Sequence, residues 1–444
     1  MRIAIVTWSR QKVGGTEAYL ESVIPELLDR GHQLAFWSEA AVPSGRDQIR
    51  LPNEVVHWCA KDLGDRRALK VLRDWQPDVI YCHSIMKPKL EAGILKIAPA
   101  VFFAHAYYGT CISGAKMFKS PTPTPCSRRF GLGCLLHYYP RRCGGLNPIT
   151  MLRLYRLTAK RLQHLARYKA VVTHSKHMRN EYLNHGLDPG RVHNLSYYPH
   201  QAERRFEQDS LNITDTGFAK AKTKAMATAE AVSAARTCWR LLFLGRMDFL
   251  KGGRLLIDAL PLVSKSLNLP LHVTFAGDGP ERKIWERRAA RVQAQNRNVM
   301  IQFAGWVKSA KREALFRDSD LMVLPSVWPE PFGLVGPEAG LRQLPIVAFD
   351  VGGISDWLWN GVNGYLANAD PPTSQKLAEA IINSLTDTVK YESLRHGALE
   401  VAQRFKMENH LRALLEVLET VSGEDVSDNQ RVGLPATRVV SHAV

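Results

Sequence analysis

Glu330 and Glu338 stand eight residues apart, with Phe332-Gly333-Leu334 between them and prolines at 329 and 331. Pro329, Pro331 and Gly333 exclude regular structure and hold a tight loop. The loop follows an apolar run at 321–324 that reads as a buried strand reaching the carboxyl edge of a sheet. A helix is expected to start near Leu334, with Pro337 tolerated in its first turn. The stretch therefore offers one carboxylate, free backbone N–H groups at a helix start, and a second carboxylate on the first turn. Carboxylates accept hydrogen bonds from hydroxyls, and helix N-termini attract anions. A polyol attached to a phosphate suits both features, and a sugar nucleotide is such a molecule.

Other residues with chemistry sit at comparable places. A strand at 241–244 ends in Gly245-Arg246, followed by Lys251-Gly252-Gly253. Two cations among glycines at one strand end fit a bound anion better than a solvated loop. Gly14-Gly15-Thr16-Glu17 opens a helix after the first strand; Thr16 can cap it, and Gly14 and Gly15 let a ligand approach its N–H groups. The strand at 271–276 ends in Gly277-Asp278-Gly279-Pro280, and His105 follows a strand at 100–104. A lone histidine in that position is often a satisfied structural residue. Cys111, Cys126, Cys134 and Cys143 lie close together near His105 and His137. They can hold a structural zinc ion, or remain thiols or a redox-labile pair, since no Cys-x-x-Cys occurs.

The elements that position these residues alternate. Strands are expected at 3–7, 33–37, 55–59, 78–82, 100–104 and 170–173, with helices at about 16–30 and 63–75, and a second βα series runs from Trp239. Such alternation indicates parallel sheets covered on both faces. Residues 111–143 break the rhythm with Pro, Gly and Arg and read as an irregular insertion. Residues 151–169 read as a helix with a basic face (Arg153, Arg156, Lys160, His164, Arg167) opposite Tyr155, Leu162 and Leu165. Residues 217–236 are mostly Ala, Lys and Thr and cannot build a core.

At 444 residues, two or three domains are expected. A composition 45% hydrophobic and 23% charged is that of a folded protein, and no apolar run is long enough to cross a membrane. The N-terminus lacks a signal-peptide pattern, so a cytoplasmic protein with thiol cysteines is expected. The formal charge of +17 concentrates in residues 92–180, which contain fifteen Lys and Arg and no Asp or Glu. A field of this kind attracts an anionic membrane face or nucleic acid.

Neither Gly-x-Gly-x-x-Gly after a strand nor a Gly-x-x-x-x-Gly-Lys-Ser/Thr loop occurs, which disfavours dinucleotide dehydrogenases and ordinary ATPases. The Gly14–Glu17 element, His105, Gly245-Arg246 with Lys251-Gly252, Gly277-Asp278-Gly279-Pro280 and the Glu330-x7-Glu338 loop together resemble the family-4 glycosyltransferases. Val351-Gly352-Gly353 and Asn363-Gly364 fit the same pattern; Ala106 stands where many relatives carry an Asp.

The resemblance implies an α/β, GT-B architecture: two Rossmann-like, doubly wound parallel-sheet domains facing a central cleft. The expected division is a first domain over 1–200 with an insertion at 106–148, a linker over 201–238 and a second domain over 239–400. A helix over 401–421 would return to the first domain, and a disordered tail would occupy 422–444. The resemblance further implies retaining transfer of a hexosyl unit from a nucleoside-diphosphate sugar, without a cofactor or divalent metal. Arg246 and Lys251 would hold the diphosphate, with Gly14, Gly15, Thr16 and Gly277 beside it. Glu338 would bind the ribose, and Glu330 with the backbone of Phe332, Gly333 and Leu334 the sugar. His105 would face that sugar from the first domain. The acceptor is expected to be a saccharide or lipid-linked saccharide, with an anionic membrane surface rather than nucleic acid as partner. Competing readings are a sugar-nucleotide epimerase or phosphorylase, and a non-catalytic basic binding protein.

Overall fold

The computed structural model describes residues 1–197 and 237–423. The expected linker at 201–238 lies outside these residues except for its last two positions, as does the expected tail beyond Gly423.

The first domain contains β1 (Arg2–Ser9), β2 (Gln33–Ala40), β3 (Val56–Cys59), β4 (Val79–Cys82) and β5 (Ala100–Ala104). After an insertion with β6 (Met117–Phe118) and β7 (Thr124–Pro125) come β8 (Ala170–Thr173) and β9 (Val192–Asn194). The seven strands outside the insertion form a parallel sheet in the order β3-β2-β1-β4-β5-β8-β9. Every residue of β4, β5 and β8 is buried, so these strands read as unbroken apolar runs because helices cover both faces.

The second domain is a six-stranded parallel sheet in the order β12-β11-β10-β13-β14-β15. Its strands are β10 (Trp239–Leu244), β11 (Leu271–Ala276), β12 (Val299–Gly305), β13 (Leu321–Leu324), β14 (Ile346–Phe349) and β15 (Gly364–Ala367). In both sheets the order reverses beside the first strand of the domain. That is where open α/β sheets leave a crevice at the carboxyl ends of their strands.

The helix Met407–Ser422 crosses back to the first domain. Met407, Leu411, Leu414 and Leu418 form its apolar stripe and pack with Ile3, Ile5, Tyr19 and Phe103.

Local structure departs from expectation in three places. The insertion is not wholly irregular: β6 and β7 pair antiparallel, and Gly133–Tyr138 is a short helix. Met117 and Tyr138 are buried and supply the anchors that its composition obscured. The basic helix spans Pro148–Leu165, earlier than expected, because Asn147 accepts hydrogen bonds from the N–H groups of Ile149 and Thr150 and Pro148 opens the first turn. Thr16 does not cap its helix. The cap residue is Gly14, whose N–H donates to the Glu17 carboxylate at 2.8 Å, as the Val13 N–H does at 3.3 Å.

A buried ion pair ties the insertion to the helix Lys176–Asn184: Lys116 Nζ lies 2.5 Å from Glu181 Oε1 and donates to the Arg128 carbonyl at 2.6 Å. Both side chains are nearly inaccessible. Lys116→Ala is expected to cost about 3–5 kcal/mol, since it leaves the Glu181 charge buried alone. The double change Lys116→Met with Glu181→Leu should recover most of that loss in the urea midpoint. Additive losses would show that the pair is not coupled.

Candidate active site

The carboxyl ends of the two sheets face each other across a cleft of about 540 Å³. Its walls include all twelve positions singled out from the sequence as binding or catalytic: Gly14, Gly15, Thr16, His105, Arg246, Lys251, Gly277, Glu330, Phe332, Gly333, Leu334 and Glu338. The two domains touch along the 329–334 loop. Tyr107 Oη donates to the Pro329 carbonyl at 2.6 Å, and Ser175 Oγ to the Pro331 carbonyl at 2.5 Å. A Cβ on Gly15 would lie 3.3 Å from Leu334 Cδ1, so the first helix start abuts the second domain.

Within the second domain the cations and carboxylates are already paired. Lys251 Nζ donates to Glu330 Oε1 at 2.5 Å, and Ser326 Oγ donates to the same oxygen at 2.5 Å. Glu330 is 5% exposed, so its charge depends on these donors. Its backbone is held from behind: the Gly353 N–H donates to the Glu330 carbonyl at 2.7 Å. Gly352, at φ +63°, leaves no room there, because a Cβ would lie 2.5 Å from the Glu330 nitrogen. That steric demand explains Gly352-Gly353. The Phe332 carbonyl accepts from Trp357 Nε1 at 2.6 Å, which immobilises the other half of the loop. Glu338 is ion-paired with Arg312, which reaches it from the helix Ser309–Asp318. Arg246 differs: its side chain is 69% exposed, with Asp248 3.5 Å away. Among the described residues the cleft therefore has two cations anchored on carboxylates, Lys251 and Arg312, and one largely exposed cation, Arg246.

The first-domain wall is a row of imidazoles. His83, His105 and His174 each occupy the position immediately after β4, β5 and β8, three neighbouring strands. His83 Nδ1 lies 2.8 Å from His105 Nε2, and His174 Nε2 lies 3.2 Å from His105 Nδ1. His105 was expected to face the sugar from the first domain; both of its ring nitrogens are engaged by neighbouring rings. Among the described residues His174 Nδ1 and the Tyr197 hydroxyl have no hydrogen-bond partner, and both side chains line the same cleft. Burial lowers all three histidine pKa values, and the neighbouring imidazoles lower them further. His83 falls to about 3. The row is therefore neutral near pH 7. Neutral His105, engaged at both nitrogens, must donate from one and accept at the other, which gives the three-ring row a single hydrogen-bond polarity.

Several cleft residues were not identified from sequence: Ser326, Arg312, Trp306, His174 and Tyr197. For the histidines a signal existed, a His one residue past each of three apolar strands. Trp306, 77% exposed just after β12, is a large aromatic without a core role. Arg312 carried no signal, because it sits on an ordinary helix. The four insertion cysteines are free thiols, and among the described residues no group of three or more His, Cys, Asp or Glu is placed to hold a metal ion. The zinc alternative is therefore not supported.

Residues 239–387 match the family profile described as glycosyl transferases group 1, and residues 13–195 match glycosyltransferase family 4. Together these two matches cover most of the chain. The chain belongs to the family-4 glycosyltransferases. A phosphatidyl-myo-inositol mannosyltransferase of Mycobacterium leprae is 31% identical over 183 residues, covering 41% of this chain and 46% of that protein. A D-inositol 3-phosphate glycosyltransferase of Jonesia denitrificans is 33% identical over 183 residues, 40% of this chain and 42% of that one. These matches span less than half the length of either curated relative. Among solved structures, Anabaena HepE in complex with UDP and glucose superposes with a TM-score of 0.61 at 19% identity, covering 95% of this chain and 100% of that one. A Rickettsia africae glycosyltransferase gives 0.62 at 16% identity, covering 94% and 98%. At such identities the likeness establishes the GT-B fold of this family member.

Proposed function

We propose that this glycosyltransferase-family protein moves a hexosyl unit from a nucleoside-diphosphate sugar to a hydroxyl of a saccharide or lipid-linked saccharide, with retention of anomeric configuration. The process it serves is synthesis of a cell-surface polysaccharide on the inner face of the membrane. The observation that carries this reading is the interdomain cleft, where Arg246 and Lys251 converge with Glu330 and Glu338. The HepE complexes with UDP, with UDP and glucose, and with UDP-glucose support a donor of this class.

Lys251 and Arg246 offset the charge that develops on the leaving diphosphate, which is electrostatic stabilisation supplied by side chains and requires no metal ion. The N–H groups at Gly15 and Thr16 face the same phosphates, beside Gly14, whose own N–H is held by Glu17, and Gly277 lets the backbone approach them. Glu338, oriented by Arg312, accepts from the ribose hydroxyls. Glu330 accepts from hydroxyls of the transferred sugar. His174 Nδ1 and the Tyr197 hydroxyl, without partners among the described residues, are the first-domain groups assigned to a sugar hydroxyl, and His105 holds His174 in place.

The carboxylates lining the cleft, Glu330 and Glu338, are both ion-paired, and the reading assigns both to donor hydroxyls rather than to covalent attack. The favoured step is displacement on one face of the sugar. The acceptor oxygen bonds to the anomeric carbon as the bond to the diphosphate oxygen breaks, and the acceptor proton passes to that leaving oxygen. The products are the glycoside and the nucleoside diphosphate.

Screening the purified protein against a panel of sugar nucleotides for binding and hydrolysis tests the reading. One nucleoside-diphosphate hexose should bind and be slowly hydrolysed. Isomerisation of the free donor would replace the reading with an epimerase, and indifference to every donor would remove it.

A further inference from the structure

Sixteen large apolar side chains are exposed on the described surface, and six of them lie within residues 132–152: Leu132, Leu136, Tyr139, Leu146, Ile149 and Leu152. Leu146 is 82% exposed, Leu136 and Ile149 76%, and Leu132 73%. Leu132, Leu136 and Tyr139 recur at four- and three-residue steps along the helix Gly133–Tyr138, so they share a face. Ile149 and Leu152 do the same at the start of the adjoining helix Pro148–Leu165.

This second helix already satisfies its core: Leu165 is fully buried and Leu162 packs beside it. The apolar side identified from the sequence is thus the inward one, and the exposed set is a second apolar face. Along the same outward stripe follow Arg153, Arg156 and Lys160, all exposed. Scattered exposed leucines are ordinary, but a cluster rimmed by one sign of charge is an interaction surface.

We propose that this face docks on an anionic bilayer. Leu136, Leu146 and Ile149 enter the boundary between headgroups and acyl chains, and Arg153, Arg156 and Lys160 lie at the level of the lipid phosphates. The absence of any Asp or Glu over residues 92–180 makes the complement anionic. The exposed aliphatic cluster distinguishes a bilayer from nucleic acid, which has no use for leucines standing clear of the surface. The insertion that carries the face begins at the cleft rim, where Tyr107 bonds the Pro329 carbonyl. Docking there holds the cleft beside the membrane, where a lipid-linked acceptor would enter. The proposal rests on that acceptor reading for its purpose; its test requires no turnover, so each can fail separately.

Full-length protein is sedimented with phosphatidylcholine vesicles, with and without phosphatidylglycerol. Partitioning should be at least about tenfold stronger with phosphatidylglycerol, given roughly 1 kcal/mol for each surface cation. The triple change Leu136→Gln, Leu146→Gln and Ile149→Gln should weaken it by about tenfold or more, while sugar-nucleotide binding and melting temperature stay unchanged. Arg153→Gln with Arg156→Gln should abolish the preference for phosphatidylglycerol. Equal binding to both vesicle types, wild-type binding by the triple variant, or an apolar face that governs self-association instead would each overturn the proposal.

Discussion

Lys251→Ala is expected to lower turnover of the sugar nucleotide by about 10²- to 10³-fold, the loss seen when one preorganised group facing developing charge is removed. The size of the effect follows from how Lys251 is held. Its ammonium donates to Glu330 at 2.5 Å and lies 5.5 Å from the Trp328 ring, with 27% of the side chain exposed. A charge fixed in that way stabilises a leaving diphosphate without reorganising during the reaction. Truncation also leaves the Glu330 carboxylate with Ser326 as its remaining side-chain donor among the described residues, so the 329–334 loop loses its charge partner. The loss should therefore appear in kcat and in kcat/KM alike. Arg246→Ala, at a side chain 69% exposed, should act mainly on KM and by a smaller factor. Lys251→Arg should recover little, because a planar guanidinium cannot take the place of a point charge between Glu330 and Trp328. Turnover of Lys251→Ala within threefold of wild type, at an unchanged melting temperature, would sink the assignment of Lys251 to the leaving group.

The second large effect is acid lability. His83 and His410 are each pushed down to about 3 by burial, and His105 and His174 are lowered in the same direction. His410 comes from the returning helix and bonds Tyr19 Oη at 2.9 Å and the Leu195 carbonyl at 3.1 Å. For a histidine whose folded value is lowered, the unfolded chain binds the proton first. The stability it confers is present above about pH 6.5, the unfolded value, and is lost as the pH falls from there toward the folded value near 3. Between pH 7 and pH 5 each such histidine costs about 2 kcal/mol, so His83 and His410 together remove about 4 kcal/mol. Urea midpoints at the two pH values should show this loss. His410→Gln should lower stability at pH 7 and remove about 2 kcal/mol of the pH dependence. A variant with the wild-type pH dependence would show that His410 is not part of the cause. Because the imidazole row stays neutral, the pH–rate profile should carry no ionisation from His105 near its ordinary value.

Much of the second-domain wall of the cleft was legible in the sequence, because parallel strands buried on both faces are continuous apolar runs and a chain leaving such a strand must turn at the sheet edge. Glycines at 245, 252, 277, 333 and 352 mark those turns, and a charged residue beside one of them is placed at a crevice by topology alone. That reasoning located Arg246, Lys251, Glu330 and Glu338 while treating each as an isolated group. It failed at Thr16, where the capping carboxylate belongs to Glu17, and in the insertion, where composition concealed a hairpin held by a buried ion pair.

Spacing, apolar runs and strand-end chemistry determined the two-sheet architecture and picked out the glycines and charged residues at the strand ends, because these depend on neighbours along the chain. Which group pairs with which was decided only in three dimensions. Lys251 meets Glu330 across 79 residues because β10 and β13 are adjacent in the sheet. His83, His105 and His174 form a row because β4, β5 and β8 run side by side in one direction. His410 joins Tyr19 because the last helix returns to the first domain. Whether a leucine of the insertion lies inward or outward depends likewise on what packs behind its helix, and so the exposed apolar face came into view with the tertiary fold.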